Sequence, residues 1–147
     1  MIRTFQTVHL KGVPIGPFDE AVSYLADVLR ECQLVIVQKS QGQETDPDLA
    51  RLAEGLVPDL EELRELFRTA TVVARDGRYH IEVPMSRPDA GTLAHLQLQL
   101  IQLRLLGRRG RLLVAGTPEV TQILTWLWDE AADQLHGRAA RPYPAVS

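Results

Sequence analysis

The stretch GRLLVAGTPEVTQILTWLWDE, residues 110–130, is the part of this sequence that says most about the fold. Its apolar run LLVA, residues 112–115, is typical of a short buried strand. Thr117 is a suitable N-cap, Pro118 takes the first helical position, and Glu119 follows just inside the helix. The stretch therefore predicts a strand, a tight turn and a well-capped helix.

The predicted helix carries two tryptophans that point in different directions. Trp128 lies one helical turn after Leu124, and we expect it in the core. Trp126 falls on a flank of the same helix. It either packs at the edge of the core or anchors a protein partner, since partly exposed tryptophans are common interface anchors.

Upstream of this stretch, strand-like and helix-like patterns alternate. Strands are predicted over residues 4–10, 34–37, 71–74, 78–83 and 112–115. The dipeptide Asp76-Gly77 predicts a hairpin turn, and Pro84 is expected to end the strand that follows it. Apolar residues at helical spacing predict a helix over 18–32 and one or two helices over 49–67. Gly55 and Pro58 favour a kink or break in the second region.

The segment from Leu93 to Leu106 is ambiguous. Its run LQLQLIQLRLL alternates like a strand, yet leucine, glutamine and arginine are good helix formers. We predict a helix because the segment is long and because a cap candidate, Ser86 or Asp89, precedes it.

Such a helix has two apolar stripes on roughly opposite sides. The first consists of Leu93, Leu96, Leu100 and Leu103. The second consists of Leu98, Ile101 and Leu105. A helix of this kind is either sandwiched within the fold or buries one stripe against a partner. We predict that the second stripe forms the interface of a homodimer.

These elements define a single α/β (or α+β) domain over residues 1–137. We expect a mixed or mostly antiparallel sheet of about five strands, packed with four to five helices. Residues 138–147 are rich in proline and are predicted to form an extended tail after Gly137 ends the last helix.

The sequence contains no motif for catalysis or for cofactor binding. Cys32, the only cysteine, lies on an apolar helix stripe, where a buried and inert thiol is usual. His80 and Glu82 point to the same side of a strand, and we interpret them as a surface pair. Gly110 to Gly116 lacks the Gly-Lys-Ser/Thr of a phosphate loop. We therefore predict no catalytic residue, no metal, no bound ATP and no cofactor.

Arginines crowd around the turn that precedes the last predicted strand. Arg108 and Arg109 either complement the negative end of a helix dipole or contact an acidic partner. No aromatic residues are interleaved with them, and the formal net charge is −3, so a nucleic-acid partner is not predicted. With Trp126, these arginines form the predicted contact surface for an acidic protein.

The N-terminus lacks the apolar region of a signal peptide, and no apolar run approaches the roughly 20 residues of a membrane span. We expect a cytoplasmic bacterial protein with no membrane partner.

Three patches resemble a family of small actinobacterial proteins of unassigned activity. They are VHLKGVPIGPFDEAVSYLADVLRECQLV (8–35), IEVP (81–84) and the stretch 110–130. The closing segment RPYP is similar to that family as well. Its members are often encoded near STAS-domain antagonists and anti-sigma kinases. The resemblance implies a regulator in stress-type partner switching, and the Asn- and Gly-rich ATP-binding boxes of the kinases themselves are missing.

Three classes of function are compatible with these observations. The leading hypothesis is a non-enzymatic regulatory protein that acts through protein–protein contact. The second is a small-molecule sensor with a pocket between the sheet and the helix over 93–106. The third is an enzyme of an unrecognised type.

Overall fold

The computed structural model describes residues 4–108 and 116–144. Its elements, in chain order, are β1 (Phe5–Pro14), α1 (Ile15–Ser40), α2 (Pro47–Arg68), β2 (Thr71–Arg75), β3 (Arg78–Ser86), α3 (Arg87–Arg108) and α4 (Pro118–Leu135). The predicted α/β class is confirmed. The described residues form one antiparallel sheet of three strands in the order β1-β3-β2, which is fewer than the five strands predicted for the chain.

The two faces of the sheet differ sharply. One face contributes apolar side chains to the core: Val8, Leu10, Val13, Ile81, Val83 and Met85. The alternate residues of β1 and β3, such as His9 and Glu82, are half-exposed or exposed. This alternation is typical of an antiparallel sheet that is packed on one face and open to solvent on the other.

The hairpin between β2 and β3 confirms the prediction at Asp76-Gly77. Arg75 pairs with Arg78, so the loop has two residues. Both adopt positive φ angles, 53° at Asp76 and 74° at Gly77. A two-residue hairpin turn with two positive φ angles is the tight turn that Asp-Gly favours.

The strand predicted over residues 34–37 is wrong, because α1 continues through it to Ser40. Val35 is buried, while Leu34 and Val37 are about half exposed. A short apolar run fits a buried strand and a helix equally well. No glycine or proline interrupts the chain between Phe18 and Ser40, so nothing stops the helix that has already begun.

The region over 49–67 forms one helix, with Pro58 inside it. The carboxylate of Asp46 caps this helix, accepting hydrogen bonds from the backbone N–H groups of Asp48 and Leu49 at 2.9 and 3.5 Å. An aspartate at this position satisfies donors that have no partner within the helix. The alternative of two helices is wrong, because α2 continues from Pro47 to Arg68 through both Gly55 and Pro58.

The segment from Leu93 to Leu106 is a helix, as predicted, and it belongs to α3. Strand β3 runs past Pro84 to Ser86, and α3 begins at the next residue. The carboxylate of Asp89 accepts hydrogen bonds from the backbone N–H and the hydroxyl of Ser86 at 2.7 and 3.1 Å. The two cap candidates thus act together at one helix start.

The last helix begins and ends as predicted. The hydroxyl of Thr117 accepts a hydrogen bond from the N–H of Val120 at 3.2 Å, with Pro118 in the first turn. Gly137, at a φ of 96°, follows the end of α4. The strand predicted over residues 112–115 lies outside the described residues.

Candidate functional site

An apolar cavity of about 300 Å³ opens between α1, α2, α4 and β2. Its lining includes Leu29, Leu60, Leu63, Leu127 and Trp128, all of which belong to the hydrophobic core. This position differs from the predicted one between the sheet and α3. A concave, mostly apolar site with a few polar groups is the usual form of a small-molecule site.

Small side chains on α1 keep this space open. Ala21 and Ala26 line the cavity, Ala21 as a buried residue and Ala26 as an exposed one, and larger side chains there would narrow it. Val22 and Val72 also line it and are each 49% exposed, so they mark its opening to solvent. The cavity is therefore a cleft that opens to solvent at these residues, and its inner wall is formed by residues of the hydrophobic core.

Among the described residues that line the cavity, Arg64 of α2 is the only charged one. Its side chain is exposed, and none of the ion pairs within residues 4–108 and 116–144 includes it. A guanidinium presents a fixed fork of donors that matches a carboxylate. The opening therefore combines an apolar interior with a free cation at its rim.

The exposed stripe of α3 is where the sequence predicts it. Leu93, Leu96, Leu100 and Leu103 are buried. Leu98, Ile101 and Leu105 are 55%, 40% and 51% exposed. The single chain therefore leaves the second stripe uncovered by any described residue.

Of the predicted contact residues for an acidic partner, only Trp126 has a described side chain. It is partly buried, and its ring packs edge-on against Tyr143 with a centroid separation of 5.0 Å. Arg108 is the last residue of α3, and its side chain is not described. Arg109 lies outside the described residues. The predicted grouping of these three residues therefore stays a prediction.

A polar network that the sequence did not predict closes the free edge of β1. The side-chain amide of Gln134 accepts a hydrogen bond from the N–H of His9 at 2.8 Å. The same amide donates a hydrogen bond to the carbonyl of His9 at 2.7 Å. The same amide donates to the buried carboxylate of Glu130. Further along this edge, the N–H of Tyr143 donates to the carbonyl of Lys11 at 2.8 Å.

Cys32 is buried, as predicted. Burial raises the pKa of its thiol to about 11, with a smaller contribution from the neighbouring charge of Glu31. The thiolate is the nucleophilic form of cysteine. A thiol that stays protonated well above neutral pH is suited to packing and not to nucleophilic catalysis.

The open face of the sheet brings His9, His80 and Glu82 together. One potential ligand atom from each lies within 4.8 Å of the others. His80 and Glu82 form the predicted surface pair, with 3.6 Å between Nε2 and Oε1. The approach of His9 from β1 was not predicted, because it depends on the register between two strands that are far apart in the chain.

No family model, curated protein or solved structure matches this chain. The resemblance to the actinobacterial family therefore stays a prediction. Among the described helices, none is both long and apolar enough to cross a membrane.

Proposed function

We propose that this chain is a cytoplasmic regulatory protein that senses an amphiphilic carboxylate. The cavity between α1, α2 and α4 carries the proposal, because it joins an apolar interior to the guanidinium of Arg64, with which no described carboxylate pairs. The apolar part of the ligand would lie against the leucines and Trp128, and its carboxylate would pair with Arg64 at the opening.

A medium-length fatty acid suits the size and the chemistry of this cavity. Each buried CH₂ group contributes roughly 0.8 kcal/mol, so about eight of them contribute on the order of 6 kcal/mol. Immobilising the flexible chain offsets part of this gain. The carboxylate–guanidinium pair adds to it, and we expect dissociation constants in the micromolar range.

Trp128 reports on the ligand directly because it lines the cavity. In a Trp126→Phe background, its fluorescence should change on titration with dodecanoate and with dodecanol. Arg64→Gln should weaken dodecanoate about tenfold, the equivalent of 1.4 kcal/mol, and leave dodecanol nearly unchanged. The alcohol isolates the carboxylate's contribution, since it shares the apolar chain and lacks the charge.

A cavity-filling variant separates specific binding from surface adsorption of the fatty acid. Ala26→Phe should weaken the response to both compounds, because Ala26 lines the cavity at an exposed position. The exposed Ala94 of α3 does not line it, so Ala94→Phe is the matched control. The sensor proposal fails if Ala26→Phe binds as the parent does, or if neither compound alters the fluorescence of Trp128.

A second proposal concerns protein–protein contact, and the exposed stripe of α3 favours it. Three large aliphatic residues, Leu98, Ile101 and Leu105, stand on one side of a helix whose other side is buried. We propose that this stripe joins two copies of the chain, since most soluble oligomers are symmetric pairs of like surfaces. Trp126, Arg108 and Arg109 are proposed to contact an acidic protein, in keeping with a role in partner switching.

Charged substitutions on the stripe test the dimer. Leu98→Lys combined with Leu105→Lys should give a folded monomer in sedimentation experiments, because lysine is costly to bury at an apolar interface. Leu34→Lys with Val37→Lys is the matched control, since both residues are similarly exposed on α1. A wild-type chain that is monomeric at high micromolar concentration would overturn the dimer.

A further inference from the structure

The cluster of His9, His80 and Glu82 results from strand register. His9 and Glu82 are directly opposite each other in the antiparallel pair of β1 and β3. The N–H and carbonyl of His9 both bond to Gln134 on the outer edge, so this pair is of the non-hydrogen-bonded kind. Side chains approach most closely in such pairs. His80 shares the face of Glu82, because it lies two residues away on the same strand.

The three side chains face one another, but they do not form close hydrogen bonds with one another. Oε1 of Glu82 lies 3.7 Å from Nδ1 of His9 and 3.6 Å from Nε2 of His80. Both distances exceed the usual hydrogen-bond range of about 2.7–3.2 Å. Ligand atoms of a tetrahedral zinc site, with bonds of about 2.0–2.1 Å, lie about 3.3 Å apart. All three ligand atoms lie within 4.8 Å of one another, so side-chain rotations that shorten these separations would convert the present arrangement into a coordinating one.

The backbone of His9 is fixed by hydrogen bonds on the edge of β1 that faces away from β3. Its two hydrogen bonds to the amide of Gln134 fix the peptide, and the buried carboxylate of Glu130 accepts from the same amide. His80 and Glu82 lie on the central strand, which is paired on both sides. A set of ligands mounted on rigid strands loses little conformational freedom when it binds an ion.

We propose that His9, His80 and Glu82 bind a divalent transition-metal ion, with Zn²⁺ as the reference ion. Two imidazoles and one carboxylate are a donor set that zinc accepts, and three protein ligands leave a position for water. Strand spacing alone indicates only a pair of His80 and Glu82, whereas the third ligand makes a site. The side chains are 39–45% exposed, so an ion can enter from solvent.

Titration of the metal-free, untagged chain with Zn²⁺ tests the site. Competition with a chromophoric chelator should show one ion per chain at micromolar affinity. His9→Gln, His80→Gln and Glu82→Gln should each weaken binding about tenfold or more, since even changes outside the ligand set cost that much. NMR spectra of the imidazole nitrogens should show His9 and His80 shifting together on addition of Zn²⁺.

Two histidines outside the cluster provide the controls. His95 contacts Asp59 at 2.8 Å, and His136 contacts the carbonyl of Ala132 at 2.7 Å. His95→Gln and His136→Gln should leave the affinity for Zn²⁺ unchanged. The proposal is overturned if no ion binds at 100 µM Zn²⁺, a value on the order of tenfold or more above the expected dissociation constant. It is also overturned if His80→Gln binds as tightly as the wild type. This site is independent of the cavity, so neither result bears on the fatty-acid proposal.

Discussion

Replacing Gln134 by alanine should lower the free energy of unfolding by about 3 kcal/mol, because it strips three buried or half-buried groups of a partner at once. The N–H and the carbonyl of His9 each lose a hydrogen bond to the side-chain amide, and the carboxylate of Glu130 loses a donor. A buried polar group left unsatisfied costs about 1–3 kcal/mol, and partial access of water to His9 moderates the total.

Urea denaturation followed by circular dichroism measures this loss, and Gln122 provides the matched control. Gln122 lies on the same helix with its side chain exposed. Gln122→Ala should change the free energy of unfolding by no more than about 0.5 kcal/mol. If the two alanine variants were equally stable, the amide of Gln134 would not be the group that satisfies this edge of the sheet.

The network also explains how the chain protects one edge of its sheet. An unpaired edge strand presents free N–H and carbonyl groups to other chains. On β1, the amide of Gln134 and the backbone of Tyr143 occupy part of that edge. Arg141 adds a guanidinium 2.8 Å from Asp133 and a backbone N–H 3.1 Å from Glu130. Side chains of α4 and the residues after it thus take the place of a fourth strand.

Local sequence rules predicted the parts of the fold that depend on neighbouring residues. The Asp76-Gly77 turn follows from backbone conformations that these two residues adopt readily. Thr117 and the Ser86–Asp89 pair mark helix starts because their side chains bond to nearby backbone or side-chain groups. The misplaced strand over 34–37 shows the limit of this reasoning, since four apolar residues do not reveal whether a preceding helix has ended.

The candidate sites depend on contacts that no local rule supplies. His9 meets Glu82 through strand register across more than 70 residues, and Gln134 meets His9 across 125. The cavity forms where α1, α2, α4 and β2 converge, so its lining is drawn from distant segments. Its alanines and Arg64 look unremarkable in the sequence. The exposed stripe of α3 was predictable because it follows from helical periodicity alone.

The decision between helix and strand for residues 96–106 leads to a prediction with an equally large effect. In a strand, Leu96 and Leu98 would lie on the same face and respond alike to substitution. In α3 they point in different directions, with Leu96 fully buried and Leu98 55% exposed. Leu96→Ala should therefore lower the free energy of unfolding by about 2–5 kcal/mol, through lost burial and the cavity left behind.

Leu98→Ala is the matched variant, with the same chemical change two residues away. It should alter the free energy of unfolding of the monomer by no more than about 0.5 kcal/mol, since the side chain removed is largely in solvent. Denaturation at several protein concentrations separates the monomer's stability from association, because a dimer contributes a concentration-dependent term. Equal losses at both positions, independent of concentration, would contradict the helical assignment. If Leu98→Ala lowers the free energy of unfolding by an amount that grows with protein concentration, the exposed side chain of Leu98 would instead lie at the interface between two copies.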